Sequence, residues 1–139
     1  MAISLNSIDY EVFKRLEHRK NDLGNWQGKA SEISDYVATW GILRFWALSF
    51  KKDEENSSKV SYFAWQVARE VLCQIIDDSW GIDKDTLINE FNEKLYNDDP
   101  NLLNVQTQRQ MVIAELLIEI GDTVQFWTNR FKDSQKKNT

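Results

Sequence analysis

Residues 36–52 read YVATWGILRFWALSFKK. Tyr36, Trp40, Phe45 and Trp46 crowd one short stretch, Phe50 follows, and the only charge before the closing lysine pair is Arg44. Ile33, Tyr36, Val37, Trp40, Leu43, Ala47 and Phe50 recur at the spacing of one helical face, while Ile42, Phe45 and Trp46 widen it. A helix apolar on most sides is buried centrally. The spacing therefore predicts a central helix over about 30–51.

The rest of the chain extends the same pattern. Proline occurs once, at Pro100, and glycine five times, so long segments run without a breaker. Ile8, Val12 and Leu16 repeat every four residues and predict a first helix over about 7–22, ended by the two glycines of LGNWQGK. The polar run KKDEENSSK reads as a solvated loop with Ser57 or Ser58 as N-cap. The third helix carries the stripe Val60, Phe63, Ala64, Val67, Ala68, Val71, Leu72, Ile75 and Ile76, broken at Gly81. A short helix is expected over about 84–96, stopped by YNDDPN. The last and longest helix is expected over about 105–132, with Thr107 and Gln110 in capping-box spacing. KDSQKKNT reads as a polar, frayed tail. The expectation is an all-α bundle of about five helices, one domain over 1–132 followed by a tail over 133–139.

Composition narrows the class. The chain has 139 residues, 42% of them hydrophobic, enough for one buried core and too apolar for disorder. A single cysteine, Cys73, excludes an internal disulfide and fits a reducing, cytoplasmic setting. Asp9, Glu11 and Glu17 interrupt the N-terminal segment, unlike a signal peptide. No uncharged run approaches the ~18 residues of a membrane span. The net charge of −5 is uneven: residues 1–52 hold eight basic and six acidic groups, 53–99 four and twelve, 100–139 five and four. An acidic total opposes tight free binding to nucleic acid, yet the two ends of the chain together can form a basic face.

Little here supports catalysis. His18 and Cys73 are the only residues of their kinds, too few for a His/Cys zinc site, which takes three or four ligands. His18 sits in the polar run EHRKND, and there is no glycine-rich phosphate loop. One acidic arrangement has metal-like spacing. Glu90 and Glu93, and again Glu119 and Asp122, stand three residues apart, which puts each pair on one helix face, where hard oxygens suit Mg²⁺. This is similar to the ExxE…ExxD pattern of MazG-like nucleotide pyrophosphatases. That resemblance implies Glu90, Glu93, Glu119 and Asp122 as metal ligands. Asn89 stands where that family has a further acid, and residues 1–57 lie outside the likeness.

A broader resemblance follows the chain in order. Gly41, Ile42, Phe45, Trp46, Ala47 and Leu48 stand roughly where the small helical subunit of type III CRISPR effector complexes, the Cmr-type family, has its Gly-Leu-x-x-x-Leu-Ala-Phe-like core helix. VSYFAWQVAREVL follows a polar loop, then IDKDTLINEF. Glu115, Trp127, Arg130 and Phe131 resemble the family's terminal helix. The likeness spans about residues 8–132; Trp40 replaces a common Asn, and no proline lies upstream. It implies a non-catalytic subunit without cofactor that packs beside copies of itself and other effector subunits. Such a subunit would lie along the guide–target RNA duplex and contact the target's backbone. Phosphate contact needs exposed Lys and Arg rather than a special motif. The candidates are Arg15, Arg19, Lys20, Lys29, Arg44, Lys51, Lys52, Arg130 and Lys132. Glu11, Glu17 and Asp22 lie near the first three. Arg44 must reach solvent, a carboxylate or a phosphate, because an unpaired buried charge is too costly. A third reading is a small acidic inhibitor or immunity protein that covers a basic partner with residues 53–99.

Overall fold

The structure, a computed structural model, describes residues 5–50, 61–80 and 107–137. The expected loop over 51–59 with its N-cap at Ser57 or Ser58, Val60, the break at Gly81 and the short helix over 84–96 lie outside those residues. Among the described residues every regular element is helical, as the periodicities require.

Helix α1 spans Leu5–Glu17. Its four-residue repeat places Ile8, Val12 and Leu16 against the core, each no more than 2% exposed. A 3-10 turn, Lys20–Asp22, leads into α2, Leu23–Ala30. LGNWQGK thus forms a helix instead of the expected turn. Leu23, Trp26 and Ala30 fall on one face and are buried. Each helical glycine costs about 1 kcal/mol, and burial of an indole offsets that with about 3 kcal/mol or more. The Trp26 indole N–H also donates at 3.0 Å to the carbonyl of Arg19, the residue that opens the 3-10 turn, which also accepts from the Asp22 N–H.

The central rod is two helices and not one. Helix α3 covers Ile33–Trp40 and α4 covers Ile42–Leu48. Between them Gly41 takes φ 88° and ψ 169°, a conformation in which a Cβ is strained. The Gly41 N–H closes α3 on the Val37 carbonyl at 2.9 Å, and its own carbonyl accepts from the Phe45 N–H at 3.3 Å. One residue therefore caps both helices. Side-chain periodicity runs on across such a break, so the spacing alone read as continuous. Ile33, Val37, Ile42, Phe45 and Trp46 are buried, as a central element should be, while Trp40 and Phe50 are about half exposed.

Helix α5, Phe63–Trp80, supplies the ceiling of the core through Ala64, Trp65, Val67, Ala68, Val71, Leu72, Ile75 and Ile76, all buried. Trp65 is its hub. Phe45 stacks on it at 5.2 Å between centroids, and Tyr36 and Tyr62 meet it edge-on at 5.0 and 5.4 Å. Its indole N–H donates to the Lys29 carbonyl at the end of α2, at 2.8 Å. Arg69 treats the end of α4 the same way: it donates to the Ser49 carbonyl at 2.8 Å and lies 3.7 Å over the Phe50 ring. Burial pushes the Arg69 guanidinium below its usual value, partly countered by neighbouring Glu70. Several of the aromatics thus serve the core and the helix ends within it.

Helix α6, Thr107–Lys137, crosses α1, α2, α3 and α5. Ile113, Leu117, Ile120 and Val124 run along its buried stripe. It continues five residues past the expected end at 132, so most of the expected tail is helical. It passes tightly against α3 at Gly121, where an added Cβ would lie 2.7 Å from the Ser34 Oγ and 2.9 Å from the Ile33 Cγ2. Ser34 joins the same crossing by donating toward the Ile118 carbonyl at 3.0 Å and the Asp122 carboxylate at 2.6 Å. Glycine is what allows α3 to sit this close to α6.

Candidate nucleic-acid interface

The nine basic candidates divide by what holds them. Arg15 is half-buried and pairs with Glu11, with Glu70 3.7 Å away. Partial burial alone would raise the Glu11 carboxyl, but Arg15 and Lys14 outweigh it and hold the group below the usual glutamate value. Arg19 grips Asp22 through Nε and Nη2 at 3.1 and 2.8 Å and lies over the Phe63 ring. Lys29 lies 3.6 Å from Glu32 and over Tyr62. Arg44 is exposed and lies 4.7 Å over the Trp40 ring. Of the destinations open to it in the sequence, the lone arginine takes solvent, resting on an aromatic plate. Arg130 is exposed on α6. Lys51 and Lys52 lie outside the described residues.

Lys20 and Lys132 share a place. The C-terminal end of α6 passes over the α1–α2 junction, where the Gln135 side chain donates to the Lys20 carbonyl at 2.9 Å. Gln135 lies on the boundary of two clefts. One, about 370 Å³, is lined by Phe13 and Phe131 with Glu17, Lys20, Asn21 and Ser134. The other, about 320 Å³, runs between Leu23, Gly24 and Gln27 of α2 and Lys132 and Lys136 of α6. The two net-basic ends of the chain meet here, far in sequence from the acidic middle.

The floor of the first cleft is aromatic. Phe13 and Phe131 stack at 5.8 Å with 30° between their planes. Trp127 meets Phe13 edge-on at 5.0 Å and is fixed by its indole N–H donating to Asp9 at 3.1 Å. Phe126 meets Trp127 at 5.1 Å and stands about half exposed.

The acidic alternative is only half in view. Glu119 and Asp122 are exposed on α6, and Asp122 accepts from Ser34; Glu90 and Glu93 lie outside the described residues. Among the described residues no three His, Cys, Asp or Glu side chains gather as a metal site. His18 is exposed, and Cys73 is buried in α5.

The fold is an all-helical bundle, and the site is a pair of lysine-bearing clefts, the first of them with an aromatic floor. The chain matches no protein-family model, no curated protein and no solved structure.

Phe13, Asn21, Gln135 and Lys136 belong to this site, and the sequence pattern alone does not single them out. Phe13 falls between Val12 and the basic run, and Gln135 and Lys136 fall in what reads as a frayed tail. A helix prolonged past Phe131 is the signal that finds them, because it carries KDSQKK across the α1–α2 junction.

Proposed function

We propose that this chain is a non-catalytic helical subunit of an RNA-guided effector complex, holding RNA by its sugar-phosphate backbone while other subunits act. The observation that carries the reading is the meeting of the two basic ends of the chain at Gln135, with Lys20, Lys132 and Lys136 on the cleft walls. Compact ammonium groups on flexible stems suit phosphates of variable position. Arg15 and Arg19 contribute less, being paired with Glu11 and Asp22, and Lys136 is also engaged, so Lys20 and Lys132 carry most of the contact. The exposed Trp40 with Arg44 across its face, and half-exposed Phe50, give the aromatic and cationic surface favoured where subunits pack. No helix among the described residues is long and apolar enough to cross a membrane, and the proposed setting is the cytoplasm.

The test is the salt dependence of RNA binding. For the full chain, log K against log salt should fall with a measurable slope. Changing Lys20, Lys132 and Lys136 together to Gln should flatten it by about 0.7 for each phosphate of a single strand that is no longer neutralised. An unchanged slope overturns the assignment of this face, and absence of RNA from the complex purified from its native cells overturns the reading itself.

A further inference from the structure

Backbone contact explains the lysines at Gln135 but not the two phenylalanines beside them. We infer that the first cleft receives an unpaired base of a single-stranded RNA, stacked on Phe131, which Phe13 backs, with the adjoining phosphate in the second cleft. The inference rests on the RNA reading above and adds a base subsite to it.

The cleft of about 370 Å³ lies at the small end of the ~300–1,000 Å³ range of ligand sites. Its floor is two half-buried rings already stacked on each other, and stacking on aromatic side chains is how unpaired bases are held. Its rim offers neutral hydrogen-bonding groups, Asn21, Ser134 and Gln135, suited to the polar edge of a base. Glu17 and Lys20 both line this cleft and offset each other in charge, while the Glu17 carboxylate can accept from a base amino group or a ribose hydroxyl. The phosphate is favoured across Gln135 in the second cleft, where Lys132 and Lys136 are the charged lining groups among the described residues. One wall is thus set for a base and the next for the charge attached to it.

The floor is also fixed in advance. Trp127 wedges against Phe13, and its bond to Asp9 ties α6 to α1 behind the rings. A platform held from behind loses little freedom on binding.

The experiment compares two 5′-labelled single strands of equal length, oligoadenylate and the same ribose-phosphate chain lacking its bases, by fluorescence anisotropy with the full chain at low salt. Stacking contributes about 1–3 kcal/mol per base, so the intact strand should bind roughly 5- to 150-fold tighter. Phe131→Leu, which keeps an apolar side chain, should remove most of that difference, and Phe131→Tyr should keep it. Thermal melts establish that both variants fold. Equal binding of the two strands overturns the base subsite and leaves the phosphate reading standing. A preference unaffected by Phe131→Leu also overturns it, because the base then stacks elsewhere. If neither strand binds, the RNA reading falls and the subsite with it.

Discussion

Two glycines lie inside apolar, helix-patterned sequence and have opposite effects. Gly41 splits the central rod: it takes a conformation reserved for glycine, ends α3 and starts α4. Gly121 stays inside α6, which runs unbroken for 31 residues. Both carry the same backbone freedom. The difference is what surrounds them. Among the described residues an added Cβ at Gly41 would meet nothing within 4 Å, whereas at Gly121 it would meet Ser34 and Ile33. Gly41 is required for its torsion angles and Gly121 for its lack of volume, so one serves the path of the chain and the other the approach of two helices.

The contrast is sharpest at Gly121. Gly121→Leu should lower stability by about 3 kcal/mol in urea unfolding, the upper part of the range for overpacking a closed site. Gly121→Ala should cost less, and part of its cost should disappear in the background of Ser34→Ala, which removes the nearest atom. A double-mutant cycle with no coupling would mean that the helices separate freely. At Gly41 the cost comes from strain. Gly41→Val should lose about 2 kcal/mol, and trimming its neighbours should not relieve it. Relief by trimming would show that volume matters at both sites and would remove the distinction.

The smallest effect belongs to α1, which contains neither glycine and serves as the reference rod. Glu11 has its carboxyl lowered in the folded chain. The stabilisation it gives is therefore complete above its unfolded value, near 4.5, and disappears as pH falls through the lower folded one. Glu11→Gln should be slightly less stable than the parent at pH 7, within the ~0–1 kcal/mol of a surface pair. That gap should close as pH falls from 4.5 through the lowered folded value. A gap of equal size at pH 7 and below that folded value would assign the effect to packing.

The same contrast marks what the sequence made legible. Buried stripes were readable because they depend only on side-chain spacing: Ile8, Val12 and Leu16, and the α5 series from Ala64 to Ile76, lie where their periods put them. The break at Gly41 was not, since spacing continues through a residue whose importance lies in its backbone. LGNWQGK misled in the reverse sense, because its glycines suggested a turn while burial of its own Trp26 in the core offsets their cost as a helix. At the candidate site, Lys20 and Lys132 could be named as cations from the sequence. That they share a place could not, because it depends on how far α6 runs. Nothing local distinguished Arg15 and Arg19 from Lys20 except the acids nearby, and two of those acids, Glu11 and Asp22, hold the arginines.

Trp65 and Arg69 reach back from α5 to the carbonyls that end α2 and α4. Helices of seven or eight residues do not persist alone in water, so the first fifty residues contain little that is stable until α5 arrives to finish their ends and α6 to cover them. During synthesis the early part of the chain therefore leaves the ribosome with its tryptophans still in contact with water. It settles only when α5 and α6 have been made, and order passes backward along the chain, from the later helices to the earlier ones.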